Sequence, residues 1–117
     1  ETRWHALRLE ALARSTIDGL AVWIRELRRP QNERSPTILH HEADRATRMG
    51  NLWEREIVQP WMQGEINMAQ MTLASALAIE ARCPEFKWRE QHPNLVAWYD
   101  KIADRPSMRS TEPPAHG

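Results

Sequence analysis

An uncharged run from Ile66 to Ile79 constrains the fold of this chain more than any other feature. It spans fourteen residues without an acidic or basic side chain, whereas 27% of the whole chain is charged. Alanine and leucine dominate the run, glycine and proline are absent from it, and its apolar residues occupy every side of a helical wheel. We therefore predict a central helix that is buried by neighbouring helices on all its sides.

The start of this helix carries a capping signal. Asn67 is a residue type that accepts a hydrogen bond at an N-cap, and Gln70 stands where it can reach back to the amide of the cap residue. Ile66 and Met71 occupy the positions of a hydrophobic staple. We predict that these four residues together fix the point at which the buried helix begins.

Three further long helices are predicted around it. Helical spacing of apolar residues, with prolines at the boundaries, places them at 2–29, 36–59 and 93–105, while the buried helix should run from Asn67 to about Arg82. No stretch has the period-two alternation of a strand. The predicted fold is all-α, a bundle of four main helices plus a short C-terminal turn, with a helical domain at 1–111 and an extended tail at 112–117.

Aromatic residues are expected to fill much of the core. Trp23, Trp53 and Trp98 lie on apolar helical faces, where packing is the common use of tryptophan. Phe86 and Trp88, two residues apart in an irregular segment, are predicted to plug one end of the bundle.

Composition excludes several classes of partner and compartment. Sixteen basic and sixteen acidic residues balance and alternate along the chain, so neither nucleic acid nor an anionic membrane is an expected partner. Cys83 is the single cysteine, which precludes an internal disulfide and favours a reducing, cytoplasmic location. Because the sequence begins at Glu1 and not at methionine, we expect either a fragment or a processed part of a longer polypeptide.

Candidate catalytic and metal-binding residues are sparse. The run from His40 to Asp44 lacks the spacing that puts two imidazoles on one helical face, so a solvated surface is expected there and no metal site. Cys83 falls at a helix C-terminus, where the dipole opposes a thiolate, and is expected to be structural. No residue is assigned as catalytic.

One side of the first helix is the candidate binding surface. Arg3, Leu7, Glu10 and Arg14 share that side, because steps of three, four and seven residues return to one helical face. Trp4 lies before any core has formed, so it should be exposed or covered by something outside this chain. The sequence leaves two interpretations open: a solvated stripe with a Glu10–Arg14 pair, or a surface that meets a ligand.

Short motifs along nearly the whole chain fit one known pattern. They are Leu9-Glu10-Ala11-Leu12-Ala13 with Asp18, Arg25-Glu26, Arg29-Pro30, His92-Pro93-x-Leu95-x-x-Trp98, and the ending Arg105-x-Ser107-x-x-x-Thr111-x-Pro113-Pro114. By these motifs the chain resembles the C-terminal helical domain of the glutathione S-transferase family, and most closely a group of bacterial members. Asn67 and Gln70 take the place of the family's usual serine or threonine cap and aspartate.

The resemblance implies a dimeric enzyme that joins the thiol of glutathione to an electrophile, or reduces a disulfide or peroxide with it. It implies glutathione as co-substrate and no further cofactor. In that family a thioredoxin-like N-terminal domain holds most of the glutathione site and the residue that activates the thiol, and nothing in this chain corresponds to it. This chain alone is therefore expected to be inactive.

The resemblance also suggests roles for the first helix. In the family the helical domain supplies mainly the wall of the electrophile pocket, largely from that helix. It therefore implies that Arg3, Trp4, Leu7, Glu10 and Arg14 bind substrate and face the N-terminal domain. The alternative is a non-catalytic protein-interaction module, since the same helical domain also serves as an assembly part.

Overall fold

The computed structural model describes residues 2–104, which fold into a bundle of helices. The helices are α1 (Thr2–Leu27), α2 (Pro36–Glu56), α3 (Pro60–Gln63), α4 (Met68–Leu77) and α5 (Pro93–Ala103), with 3₁₀ turns at Gln31–Glu33 and Ala78–Ala81. No strand occurs within residues 2–104, so the predicted all-helical fold is confirmed. The predicted C-terminal turn, the tail and the domain boundary between them lie outside the described residues.

Helix α4 is the central element, as predicted. Ala69, Gln70, Leu73, Ala74, Ala76 and Leu77 are all buried, and α4 packs chiefly against α1. Met68, Met71 and Ser75 are exposed, so the prediction that this helix is buried on all its sides is wrong along this line. These positions are three and four residues apart, so they follow one edge of the helix that no neighbouring helix covers.

Several helix ends differ from the sequence prediction. Helix α2 ends at Glu56 instead of Gln59, and Pro60 does not merely stop a helix but opens the one-turn helix α3. Proline is well suited to this first position, because its missing N–H would have no intrahelical partner there. The buried helix is α-helical only to Leu77 and continues as a 3₁₀ turn to Ala81.

Helices α1 and α2 form an antiparallel hairpin that is tied at both ends. At the closed end, the Glu26 carboxylate accepts a hydrogen bond from the Ser35 N–H at 2.6 Å, and the Ser35 hydroxyl caps α2 by accepting from the Ile38 N–H. At the open end, Arg8 Nη2 lies 2.7 Å from Glu56 Oε1. The antiparallel path places the start of α1 beside the end of α2.

The buried indoles anchor the core by hydrogen bonds as well as by packing. Trp53 Nε1 donates to Thr16 Oγ1 at 3.0 Å, Trp88 Nε1 to the Leu77 carbonyl at 3.0 Å, and Trp98 Nε1 to the Met62 carbonyl at 2.6 Å. A buried indole N–H needs such a partner. Trp23 and Phe86 meet edge to face with ring centroids 6.4 Å apart. The predicted burial of Trp23, Trp53 and Trp98 is confirmed, and Phe86 and Trp88 are buried as well.

No helix in residues 2–104 combines the length and apolar character needed to cross a membrane.

Candidate functional site

The amino-terminal part of α1 carries a shallow, open groove, which we call the α1 groove. Its lining residues are Trp4, His5, Leu7, Arg8 and Ala11. Trp4 is 76% exposed and Leu7 is 50% exposed. Two large apolar side chains so exposed and so close together are unusual on the surface of a folded domain, and such patches commonly mark a contact with another protein element or a ligand.

The five predicted substrate-binding residues divide into two sets. Trp4 and Leu7 line the α1 groove, whereas Arg3, Glu10 and Arg14 do not. Arg3 and Arg14 are exposed and Glu10 is partly exposed. The division follows from helical geometry, because the groove follows the line from Trp4 to Ala11, adjacent to the line through Arg3 and Glu10.

The solvated-stripe interpretation predicted an ion pair between Glu10 and Arg14. In the part of the chain that the structure describes, these two side chains form no such pair.

Two polar residues of the groove were missed by sequence reasoning. Arg8 is fixed by its ion pair with Glu56 and so joins the groove to the end of α2. His5 Nε2 is buried and has no hydrogen-bond partner among residues 2–104. This nitrogen has almost no accessible surface, so His5 contributes to the groove wall through its other atoms. The sequence could have indicated Arg8, because it lies four residues after Trp4 and therefore on the same side of the helix.

The start of α4 is held by a network of side-chain amides. Asn67 occupies the N-cap, where its Oδ1 accepts from the Gln70 N–H at 2.9 Å and its Nδ2 donates to the Trp61 carbonyl at 2.8 Å. The capping-box pattern predicted that Gln70 would reach back to the Asn67 amide, and this prediction is wrong. Gln70 Nε2 instead donates to the carbonyls of Trp61 at 3.0 Å and Glu65 at 3.1 Å.

The different role of Gln70 has a physical cause. The turn between α3 and α4 is folded over the start of α4, which leaves Gln70 only 2% exposed and surrounded by backbone carbonyls. Those carbonyls need donors, which the amide supplies. The two residues of the predicted staple are unequally placed, since Ile66 is partly buried and Met71 is 39% exposed.

Neither a metal centre nor a reactive thiol is found in residues 2–104. No group of three or more His, Cys, Asp or Glu side chains there could hold a metal ion. His40 Nε2 and Asp44 Oδ2 lie 3.4 Å apart on an exposed helical face. Burial and the neighbouring Glu85 carboxylate raise the pKa of the Cys83 thiol, which disfavours the nucleophilic thiolate.

Comparison with known proteins identifies relatives of this helical bundle. No family model matches the chain. In sequence it is 28% identical over 109 residues to the uncharacterized GST-like protein YibF of Escherichia coli (strain K12), an alignment that covers 92% of this chain and 54% of YibF.

Solved structures give a closer match. A glutathione transferase family member from Pseudomonas fluorescens Pf-5, with bound S-(propanoic acid)-glutathione, superposes with a TM-score of 0.88 and 33% identity over 97% of this chain and 59% of that chain. The structure of a family member from the same strain with bound glutathione gives the same score and identity and is covered to 56%. The chain thus spans little more than half the length of these relatives.

The all-helical fold and these matches agree on one group of relatives. The chain is homologous to proteins of the glutathione transferase family, and its fold is that of their C-terminal helical domain.

Proposed function

We propose that this chain is the C-terminal domain of a glutathione S-transferase-like protein and that the α1 groove forms part of the wall of its electrophile pocket. The reaction would be glutathione conjugation or a glutathione-dependent reduction. The observation that carries the proposal is the exposure of Trp4 and Leu7 side by side on the helix that the family uses for this purpose. The bound glutathione and glutathione conjugate in the structural relatives support it.

The groove residues suit the task of holding an electrophile. Trp4 and Leu7 would pack against its apolar body. Arg3 and Arg14 place positive charge beside the groove, where it would favour the anionic glutathione thiolate and carboxylates. Substrate positioning of this kind lowers the barrier by holding the reacting atoms close together.

The chemistry at the sulfur atom is proposed to come from a thioredoxin-like N-terminal domain. That domain would bind most of the glutathione molecule and activate its thiol, which is why no residue of this chain is assigned a catalytic role. We also propose a homodimer in the cytoplasm, on the basis of the family resemblance and of the single buried cysteine. Sedimentation at several protein concentrations would test the dimer.

The proposed function can be tested by kinetics on a polypeptide that contains this chain and a thioredoxin-like domain. We expect Trp4→Ala and Leu7→Ala each to lower kcat/KM for an apolar electrophile about tenfold, the order of magnitude of a lost apolar pocket contact. The KM for glutathione should stay unchanged, because neither side chain is proposed to contact glutathione. Ile38→Ala is the matched control, since Ile38 is also exposed but lies at the start of α2, at the opposite end of the hairpin.

Two outcomes would contradict the assignment of the groove. One is an equal loss for the Ile38 variant, and the other is an unchanged kcat/KM for both groove variants across electrophiles of different shape.

The alternative function is a non-catalytic interaction module, which the exposed Trp4 and Leu7 would also suit. The coding region upstream of Glu1 distinguishes the two. A thioredoxin-like pattern with a cis-proline, and with a Ser, Cys or Tyr near its start, supports the enzyme. Its absence, together with no retention on glutathione-agarose, would favour the module.

A further inference from the structure

A small internal cavity lies between α1 and α2, far from the α1 groove. We call it the Glu42 cavity, after the carboxylate that lines it together with the polar side chains of Thr16, Arg45 and Trp53. The remaining walls are apolar, and the cavity leaves about 10 Å³ for the centre of a water molecule. A space of this size accommodates roughly one water.

One atom in this cavity lacks a hydrogen bond. Glu42 is only 7% exposed, and its Oε1 has no hydrogen-bond partner among residues 2–104. The nearest cationic group, Arg45 Nη1, is 3.8 Å away, which is too far for a hydrogen bond. A buried carboxylate oxygen needs a hydrogen-bond donor in place of its hydration, and residues 2–104 place none within reach of Glu42 Oε1.

The Arg45 guanidinium cannot simply turn to close this gap. Its Nη2 is already engaged on α1, where it donates to the Ser15 carbonyl at 3.0 Å and to Ser15 Oγ at 2.8 Å. The side chain also lies against Gly19, so that a Cβ at that position would be 3.0 Å from the guanidinium carbon. Arg45 is thus held by α1 while its Nη1 still points toward Glu42.

Thr16 offers a second acceptor in the cavity. Its hydroxyl donates to the Leu12 carbonyl at 2.8 Å and accepts from Trp53 Nε1 at 3.0 Å. A hydroxyl oxygen has two lone pairs, so one acceptor position remains. The cavity therefore presents one donor, Arg45 Nη1, and two acceptors, Glu42 Oε1 and Thr16 Oγ1.

We propose that the Glu42 cavity is a specific binding site for one water molecule. The water accepts a hydrogen bond from Arg45 Nη1, donates to Glu42 Oε1, and has Thr16 Oγ1 as its second acceptor. The site selects a neutral molecule, because Arg45 opposes a cation and Glu42 opposes an anion. This water completes the polar contact between α1 and α2.

The bound water has a short route to solvent. A larger groove of about 350 Å³ between α2 and residues 85–92 shares four lining residues with the cavity, namely Ala46, Gly50, Phe86 and Trp88. The water should therefore exchange with solvent through this groove without unfolding of the hairpin.

The site is tested by nuclear Overhauser contacts between water and the indole N–H of Trp53 in the 117-residue chain. We expect a cross-peak with the sign of a long-lived bound water, and a single water peak beside Glu42 in a high-resolution crystal structure. A protein with no such cross-peak and no density beside Glu42 Oε1, or with a bound metal ion there, would overturn the proposal.

Variants separate the carboxylate from the cavity itself. Glu42→Leu should abolish the cross-peak, whereas Glu42→Gln, which keeps an acceptor, should retain it. The matched control is Asp44→Leu, the same type of change on an exposed residue of the same helix, and it should leave the cross-peak intact. Persistence of the bound water in Glu42→Leu, or its loss in both Glu42→Gln and Asp44→Leu, would contradict the assignment. If Glu42→Leu does not fold, Glu42→Gln and the unmodified protein decide the question.

Discussion

At the scale of single residues, two side-chain amides hold the turn between α3 and α4 in place. Asn67 both accepts from the Gln70 N–H and donates to the Trp61 carbonyl, while Gln70 donates to the same carbonyl and to that of Glu65. Each amide therefore links the first turn of the central helix to the segment that precedes it.

Asn67→Ala should destabilise the protein by about 1 kcal/mol or somewhat more. The loss of an N-cap acceptor is worth about 1 kcal/mol, and the Asn67 bond to the Trp61 carbonyl is lost as well. Thermal and denaturant unfolding measure the change. Asn32→Ala, on an exposed residue of the loop between α1 and α2, is the control and should be nearly neutral. An Asn67 variant as stable as the Asn32 variant would show that the cap does not fix the start of α4.

At this scale the sequence predicted the Asn67 cap position but not the contacts of Gln70. A capping pattern is local, so spacing alone identifies Asn67. The partners of Gln70 come from a turn whose path depends on tertiary packing, which no periodicity in the sequence describes. The same limit applies to His5, whose buried nitrogen is visible only once the surroundings of α1 are known.

At the scale of helices, α5 is capped by a residue from another helix. Its N-cap residue His92 makes no side-chain capping bond. The Glu54 carboxylate of α2 accepts instead, from the Asn94 N–H at 3.0 Å and from the Leu95 N–H at 2.9 Å. A negative charge at this place also complements the positive end of the helix dipole. The sequence predicted the start of α5 from Pro93, but a cap that is forty residues away leaves no local signal.

Glu54→Ala should cost about 1–3 kcal/mol, since it removes a charged acceptor from two backbone amides. Hydrogen exchange of the first α5 amides should accelerate most. Glu56→Ala is the control, because Glu56 pairs with an Arg8 side chain that is 48% exposed, and surface pairs contribute roughly 0–1 kcal/mol. Equal losses for the two variants, with no local change in exchange at α5, would contradict a capping role.

Two glycines lie where other parts of the bundle approach a helix closely, so their substitution by alanine tests the packing there. A Cβ on Gly19 would lie 3.0 Å from the Arg45 guanidinium, whose long side chain can shift by a few tenths of an ångström without leaving Ser15, and a Cβ on Gly50 would lie 3.0 Å from Cε1 of His92. The His92 ring cannot yield as easily, because its two nitrogens lie 2.7 Å from the Trp88 carbonyl and 2.8 Å from Asn51 Oδ1.

Both alanine substitutions gain up to about 1 kcal/mol of helix propensity. Gly50→Ala should lose this gain to overpacking, which typically costs about 1–3 kcal/mol. We therefore expect Gly50→Ala to be the less stable variant by at least 1 kcal/mol, as measured by denaturant unfolding of the two proteins side by side. A Gly50 variant as stable as the Gly19 variant would mean that His92 is free to move.

At the scale of the whole molecule, the bundle and the candidate site were predictable to different degrees. The uncharged run that became α4 and the prolines at 36, 60 and 93 mark the elements, because hydrophobic burial and backbone stereochemistry leave strong local signals. Trp4 was expected to be exposed, or covered by something outside this chain, because no core has formed at the start of the first helix. Only the structure shows which of the five predicted residues line the groove and which lie beside it on α1.

The exposed groove is apolar surface that this domain does not use for its own core. The domain buries its own core completely around Leu9, Leu73 and Trp53, each at most 1% exposed. The apolar surface that remains at Trp4 and Leu7 is therefore not needed for folding. It is the kind of surface expected where an adjoining domain and a ligand meet this helix.

The most direct test of this account is a crystal structure of the polypeptide that contains this chain and a thioredoxin-like domain, in complex with an S-substituted glutathione. If the α1 groove is part of the electrophile pocket, the substituent on the sulfur packs against Trp4 or Leu7. A substituent that contacts neither residue, with the α1 groove open to solvent or covered by an unrelated surface, would contradict it.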